Sequence, residues 1–105
     1  MNHYISIGNS DDRLTQKSWY DFITLIREVL HSWEKDNYIK IHGEWFSAPD
    51  VEWQNANWCV EVFNDSHVPV FKNKIVQVAG WFNQDSVAWA SAEVEFLKTH
   101  ESSKH

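Results

Sequence analysis

The sequence predicts an α+β domain of order β-α-β-β-α-β, with one four-stranded antiparallel sheet and two helices on one of its faces. Three observations carry this. Short stretches of alternating apolar and polar residues occur at 3–7, 38–46 and 57–63, as in strands with one buried face. Between the first two, apolar residues recur every three or four positions, as in a helix lying on a core. Only a loop separates the stretches at 38–46 and 57–63, so they pair as a hairpin.

Along the chain, Ile5 and Ile7 share one face of the first strand, and Tyr4 and Ser6 share the other. The turn-forming run Gly8-Asn9-Ser10-Asp11-Asp12 stops that strand. Thr15 is placed to cap the first helix. Its buried stripe is Trp19, Phe22, Ile23, Ile26, Val29, Leu30 and Trp33, with Lys17, Asp21, Thr24, Arg27, Glu28 and His31 opposite. In the second strand Ile39, Ile41 and Trp45 are expected inside, and Lys40, His42, Glu44 and Phe46 outside. In the third, Trp58, Val60 and Val62 face in, and Cys59, Glu61 and Phe63 face out. Asn64-Asp65-Ser66 and Pro69 open a second helix with Phe71, Ile75, Val78, Ala79 and Phe82 buried, ended by Asn83-Gln84-Asp85. A last strand is expected over 87–97, with Ala88, Ala90, Ala92, Val94 and Phe96 inside and Trp89, Glu93 and Glu95 outside. Right-handed crossovers then set the strand order 4-1-3-2, the split βαβ arrangement of the ferredoxin-like fold. Residues 1–98 form the single domain, and 99–105 form a polar tail.

Composition sets the class. The 105 residues suit one domain, and 43% apolar with 15% aromatic residues suffices for one core. A net charge of −6 argues against direct nucleic-acid binding, which needs clustered Lys and Arg. No apolar run approaches the ~20 residues of a membrane span, and no leader pattern opens the chain. The one cysteine fits a cytoplasmic setting without an internal disulfide. No cofactor and no metal site are expected.

The topology gathers three loops at one edge of the sheet: 8–12, 50–57 and 83–86. Loops on a rigid scaffold are where binding residues concentrate. Asn9, Ser10, Asp11, Asp12, Trp53, Gln54, Asn55, Gln84 and Asp85 are therefore the candidate ligand-binding residues, with amides to hydrogen-bond and an indole to stack. The plainer reading is that Asn and Asp are there as turn formers.

On the sheet face away from the helices, Tyr4, Phe46, Phe63 and Trp89 are expected as an interface between two copies of the chain. Symmetric hairpin pairing would place His42 opposite Glu61 and Glu44 opposite Cys59, about 5 Å apart. Ordinary charge pairing explains that group better than zinc, since no CxxC or HExxH spacing accompanies it. Of the seven tryptophans, Trp19, Trp33, Trp45 and Trp58 fit the core by spacing, and Trp53, Trp81 and Trp89 are left for contacts. Neither a phosphate-binding glycine loop nor a nucleophile elbow occurs, and a mid-strand cysteine such as Cys59 is usually inert packing.

The segments IGNSDDRLTQKSW, IHGEWFSAP, WQNANWCVEV and FNQDSVAWA together resemble a family of small bacteriophage and mobile-element proteins. The resemblance spans residues 4–97 and implies a setting, that of accessory or counter-defence proteins acting on host components. It carries over no activity and no site residue. The leading expectation is a non-enzymatic binding module, dimeric, capturing a partner protein or a small polar or nucleotide ligand at the loop edge. The alternative is a small acid–base enzyme, hydrolase or isomerase-like, using Asp11, Asp12 or Asp85.

Overall fold

A computed structural model describes residues 1–9, 14–49, 51, 53–93 and 95–99. Strands β1 (Asn2–Gly8), β2 (Ile39–Phe46), β3 (Asn55–Val62) and β4 (Ala88–Ala92) form one sheet of order β2-β3-β1-β4. Every neighbouring pair is antiparallel. Helix α1 (Gln16–Lys35) joins β1 to β2, and helix α2 (Val68–Trp81) joins β3 to β4. This is the expected α+β, ferredoxin-like arrangement. Among the described residues no helix is long and apolar enough to cross a membrane.

Local chemistry accounts for the helix ends. The Thr15 hydroxyl accepts from the Ser18 amide at 3.1 Å, satisfying a donor that a helix start leaves free. Both helices stop on an asparagine in the left-handed region, Asn37 at φ 66° and Asn83 at φ 56°. At each stop two amides turn back onto the last carbonyls: Asn37 to Glu34 and Tyr38 to Trp33, then Asn83 to Gly80 and Gln84 to Ala79. That is the Schellman arrangement, with asparagine where glycine is commoner.

The core lies between the helices and one face of the sheet. Phe22, Ile26 and Leu30 of α1 and Phe71, Ile75 and Val78 of α2 pack on Ile5, Ile7, Ala56, Trp58, Val60 and Val62. The aromatic contacts Phe22–Phe82, at 5.0 Å, and Trp33–Phe71, at 4.2 Å, tie the helical layer together.

The faces of the two edge strands differ from the expected ones. In β2 the register slips between Ile41 and Gly43, so His42 is an extra residue, a β-bulge. Beyond it the alternation inverts. Gly43 pairs with Cys59, Glu44 with Trp58, Trp45 with Asn57 and Phe46 with Ala56. Glu44 and Phe46 therefore lie on the helix side, and Trp45 lies on the open face, 54% exposed. An unbroken period of two, assumed from sequence, places all three on the wrong side.

In β4, Trp89 pairs with Ile5 and Ala90 with Tyr4, so Trp89 faces the helices and the alanines face out. One indole buries far more apolar area than three methyl groups, and this one finds a partner for its N–H. The strand ends at Ala92; Phe96 and Leu97 lie beyond it, 84% and 81% exposed. Val94 lies outside the described residues.

The partner of the Trp89 indole is His3. Trp89 Nε1 donates to His3 Nδ1 at 3.1 Å, and the Ser91 hydroxyl lies 2.9 Å from the same nitrogen. An indole N–H can only donate, so Nδ1 is the acceptor and the neutral ring carries its proton on Nε2. His3 is 3% exposed, and Nε2 is buried with no partner among the described residues. Burial, chiefly, holds the His3 pKa below 6.5, helped by the N-terminal ammonium and Lys72 and opposed by Asp65. A depressed histidine leaves the folded state short of a proton that the unfolded chain takes up below pH 6.5. Stability is thus complete above that pH and falls as the pH drops from there through the folded-state value. Urea midpoints at pH 7.5 and 5.5 are expected to separate more for the wild type than for His3→Gln, which keeps an acceptor without the titration.

Candidate functional site

The expected convergence of loops at one sheet edge is present, with a different division of labour. Gly8 pairs with Asn55, and the Asn9 amide donates to the Gln54 carbonyl at 2.8 Å. Asn9 and Gln54, however, are buried (1% and 3% exposed) and spend their side chains inward. Asn9 Oδ1 accepts from the Leu14 amide at 3.0 Å, and Nδ2 donates to the Leu14 carbonyl and to Gln54 Oε1, each at 3.1 Å. Gln54 Nε2 donates to Gln16 Oε1 at 2.8 Å and to the Pro49 carbonyl at 2.9 Å, and its Oε1 accepts from Gln16 Nε2 at 3.1 Å. These two amides lock the loops to each other and to the start of α1.

The other loop candidates are spread out. Trp53 projects from the hairpin loop, 67% exposed. Asn55 Nδ2 folds onto the Trp53 carbonyl at 3.2 Å. Gln84 and Asp85 line a hollow of about 370 Å³ with Ser6, Gly8 and Ser86. Ser10, Asp11 and Asp12 lie outside the described residues.

The four aromatics expected on a single interface do not share a face. Tyr4 is on the open face beside Cys59, and a hydrogen bond with that thiol raises its hydroxyl pKa. Phe63, just past β3, is exposed. Phe46 and Trp89 are on the helix side, as described above. His42 Nε2 does meet Glu61 Oε1, at 3.1 Å, as an exposed pair. Glu44 is absent from that pair because the bulge turns it to the other side. Among the described residues no group of three His, Cys, Asp or Glu side chains is placed to hold a metal ion.

Sequence reasoning missed a cleft of about 340 Å³ between α1 and the hairpin. One wall is a stripe of α1: Trp19, Tyr20, Ile23, Thr24 and Arg27. The other is the end of β2 and the loop after it: Phe46, Ser47 and Pro49. The Gln16–Gln54 amide pair closes one end. At the other end Arg27 is held by Glu44. Its Nε and Nη2 donate to the two Glu44 oxygens at 2.8 and 3.2 Å, and its guanidinium stacks on Phe46 with 5.6 Å to the ring centre. Trp58, in the core, donates Nε1–H to Glu44 Oε1 at 2.9 Å, and His31 lies 3.8 Å from that oxygen. The Arg27 hydrogen bond is the main reason the Glu44 pKa lies below 4.5; partial burial works against it, and Trp58 and His31 add to it. The signal that could have found this site is the pair Arg27 and Thr24 interrupting Trp19, Tyr20 and Ile23 on one helix flank. Without the bulge, nothing in the sequence brings Glu44 and Phe46 to that flank.

Two further recesses are less suited to a ligand. A larger hollow of about 910 Å³ on the open face combines Met1, Tyr4 and Phe96 with three carboxylates, Glu61, Asp65 and Glu93, and the His42–Glu61 pair. The loop-edge hollow has little apolar surface beyond Ile7 and Ala88. Ligand sites are typically apolar recesses with a few fixed polar groups, and the α1–hairpin cleft has that makeup without a carboxylate among its described lining residues. Compared with protein-family models, curated proteins and solved structures, the chain matches none.

Proposed function

We propose that this protein is a non-enzymatic binding module and that its ligand surface is the cleft between α1 and the hairpin. The supporting observation is Arg27, the charged group among the described lining residues of a recess walled by Trp19, Tyr20, Ile23 and Phe46 and closed by the Gln16–Gln54 pair; it is fixed by Glu44, which is itself anchored to the core indole of Trp58. A guanidinium held on two sides is preorganised, so it loses little freedom when a ligand arrives. The setting is the phage-type one implied by the resemblance of the four segments, in which small proteins act by capture.

An amide-resolved NMR screen with a fragment library tests the reading. Hits are expected to shift amides in 16–27 and 46–54 together. Thr24→Phe, which fills the cleft from a partly exposed position, is expected to weaken those hits at least tenfold and to move the thermal midpoint by only a few degrees. Hits clustering on Ser6, Gly8 and Gln84 would move the site to the loop-edge hollow and overturn the reading.

A further inference from the structure

We propose that the ligand of this cleft is a small aromatic carboxylate, its ring against Trp19 and Phe46 and its carboxylate on Arg27. The inference rests on the cleft being the binding site and adds the chemistry of what enters it.

Size comes first. At about 340 Å³ the cleft is near the lower end of ligand sites, roughly 300–1,000 Å³, which suits one or two fused rings bearing a short polar group. Shape follows from the walls. Trp19 is nearly buried, and Phe46 stands edge-on to the Trp58 indole at 5.9 Å, so both rings are held in place by what lies behind them. Flat, fixed aromatic walls favour a flat aromatic guest, which gains offset or edge-to-face contact in addition to area burial.

The polar end is decided by counting donors. A guanidinium has five N–H groups, and Glu44 takes one from Nε and one from Nη2. The remaining three have no partner among the described residues. Ser47 Oγ accepts from the Asn55 amide, which leaves its own hydrogen to donate. None of the described lining residues carries a carboxylate. The cleft thus offers spare donors, on a guanidinium whose charge Glu44 already balances, to a guest able to accept several hydrogen bonds. A carboxylate supplies paired acceptors to the remaining donors and adds a single charge beside the Arg27–Glu44 pair, whereas a di- or polyphosphate adds two or more on a chain of net −6.

The test compares three probes by NMR titration of the intact protein: 2-naphthoate, the neutral 2-naphthalenemethanol and the non-aromatic cyclohexanecarboxylate. 2-Naphthoate is expected to bind at least tenfold more tightly than either of the others and to shift amides along α1 and at 46–47. Arg27→Gln is expected to erase its advantage over the alcohol. Because that variant also releases Glu44, Arg27→Lys is the companion: it keeps the charge and loses the planar fork, so an intermediate advantage is expected. Equal affinity of acid and alcohol in the wild type, with shifts still in the cleft, overturns the carboxylate and leaves the binding site standing. Cyclohexanecarboxylate binding as tightly as 2-naphthoate overturns the aromatic requirement. Absence of cleft shifts with all three probes at millimolar concentration removes both the inference and the site.

Discussion

Trp58→Ala is expected to destabilise the protein by about 3–5 kcal/mol, the range for removing a large aromatic side chain from a packed core. The indole is 1% exposed, sits in the middle strand pair and packs against Phe46. Against a total of about 5–15 kcal/mol for a domain, such a loss leaves the fold marginal. Trp58→Phe separates the two jobs of the side chain. It keeps most of the apolar contact and deletes the N–H that Glu44 accepts, so about 2 kcal/mol is expected. Urea denaturation measures both. The gap between Trp58→Phe and wild type is expected to narrow in acid, once the pH falls through the depressed Glu44 value and a neutral carboxyl makes the weaker bond.

Asn9→Ala is the second large effect, expected at about 3 kcal/mol by the same measurement. The substitution strands the buried Leu14 amide and removes one donor from Gln54 Oε1, and orphaned buried polar groups cost about 1–3 kcal/mol each. Trp53→Ala, in the same group of loops, is expected to change stability by no more than about 0.5 kcal/mol, because the indole stands in solvent. Both residues look alike from sequence, as polar-loop candidates for binding a ligand. The contrast separates a side chain that holds the loops from one that is free to make contacts.

Much of the architecture was legible because it rests on long periodic signals. The α1 stripe from Trp19 to Leu30, the alternation in β3 and the asparagine stop at Asn83 are patterns that local sterics and burial enforce almost alone. The edge strands were less legible, for separate reasons. In β2 a single bulged residue reverses every side chain after it, and no local residue preference announces it. In β4 the alternation of Ala88, Ala90 and Ala92 with Trp89 and Ser91 is ambiguous, since alanine is at home on either face. Only the register against β1, where Trp89 meets Ile5 and Ser91 meets His3, decides it. At the site, the convergence of loops could be read from topology. That Asn9 and Gln54 point inward depends on partners 45 residues apart in the chain.

The bulge at His42 makes strand register, and not residue type alone, decide what lines the cleft. The arginine-fixing carboxylate and the aromatic wall reach the helix side because one more residue sits before them than strict pairing with β3 would allow. Substitutions at Glu44 or Phe46 alter what the wall is made of, whereas losing His42 itself would only straighten the strand, leaving Gly43 opposite Cys59, Glu44 opposite Trp58 and Phe46 opposite Ala56. Among relatives of this chain, a one-residue gap at His42 is therefore compatible with an unchanged wall, and a gap after Gly43 that leaves the bulge in place is the one that would bring Trp45 inward.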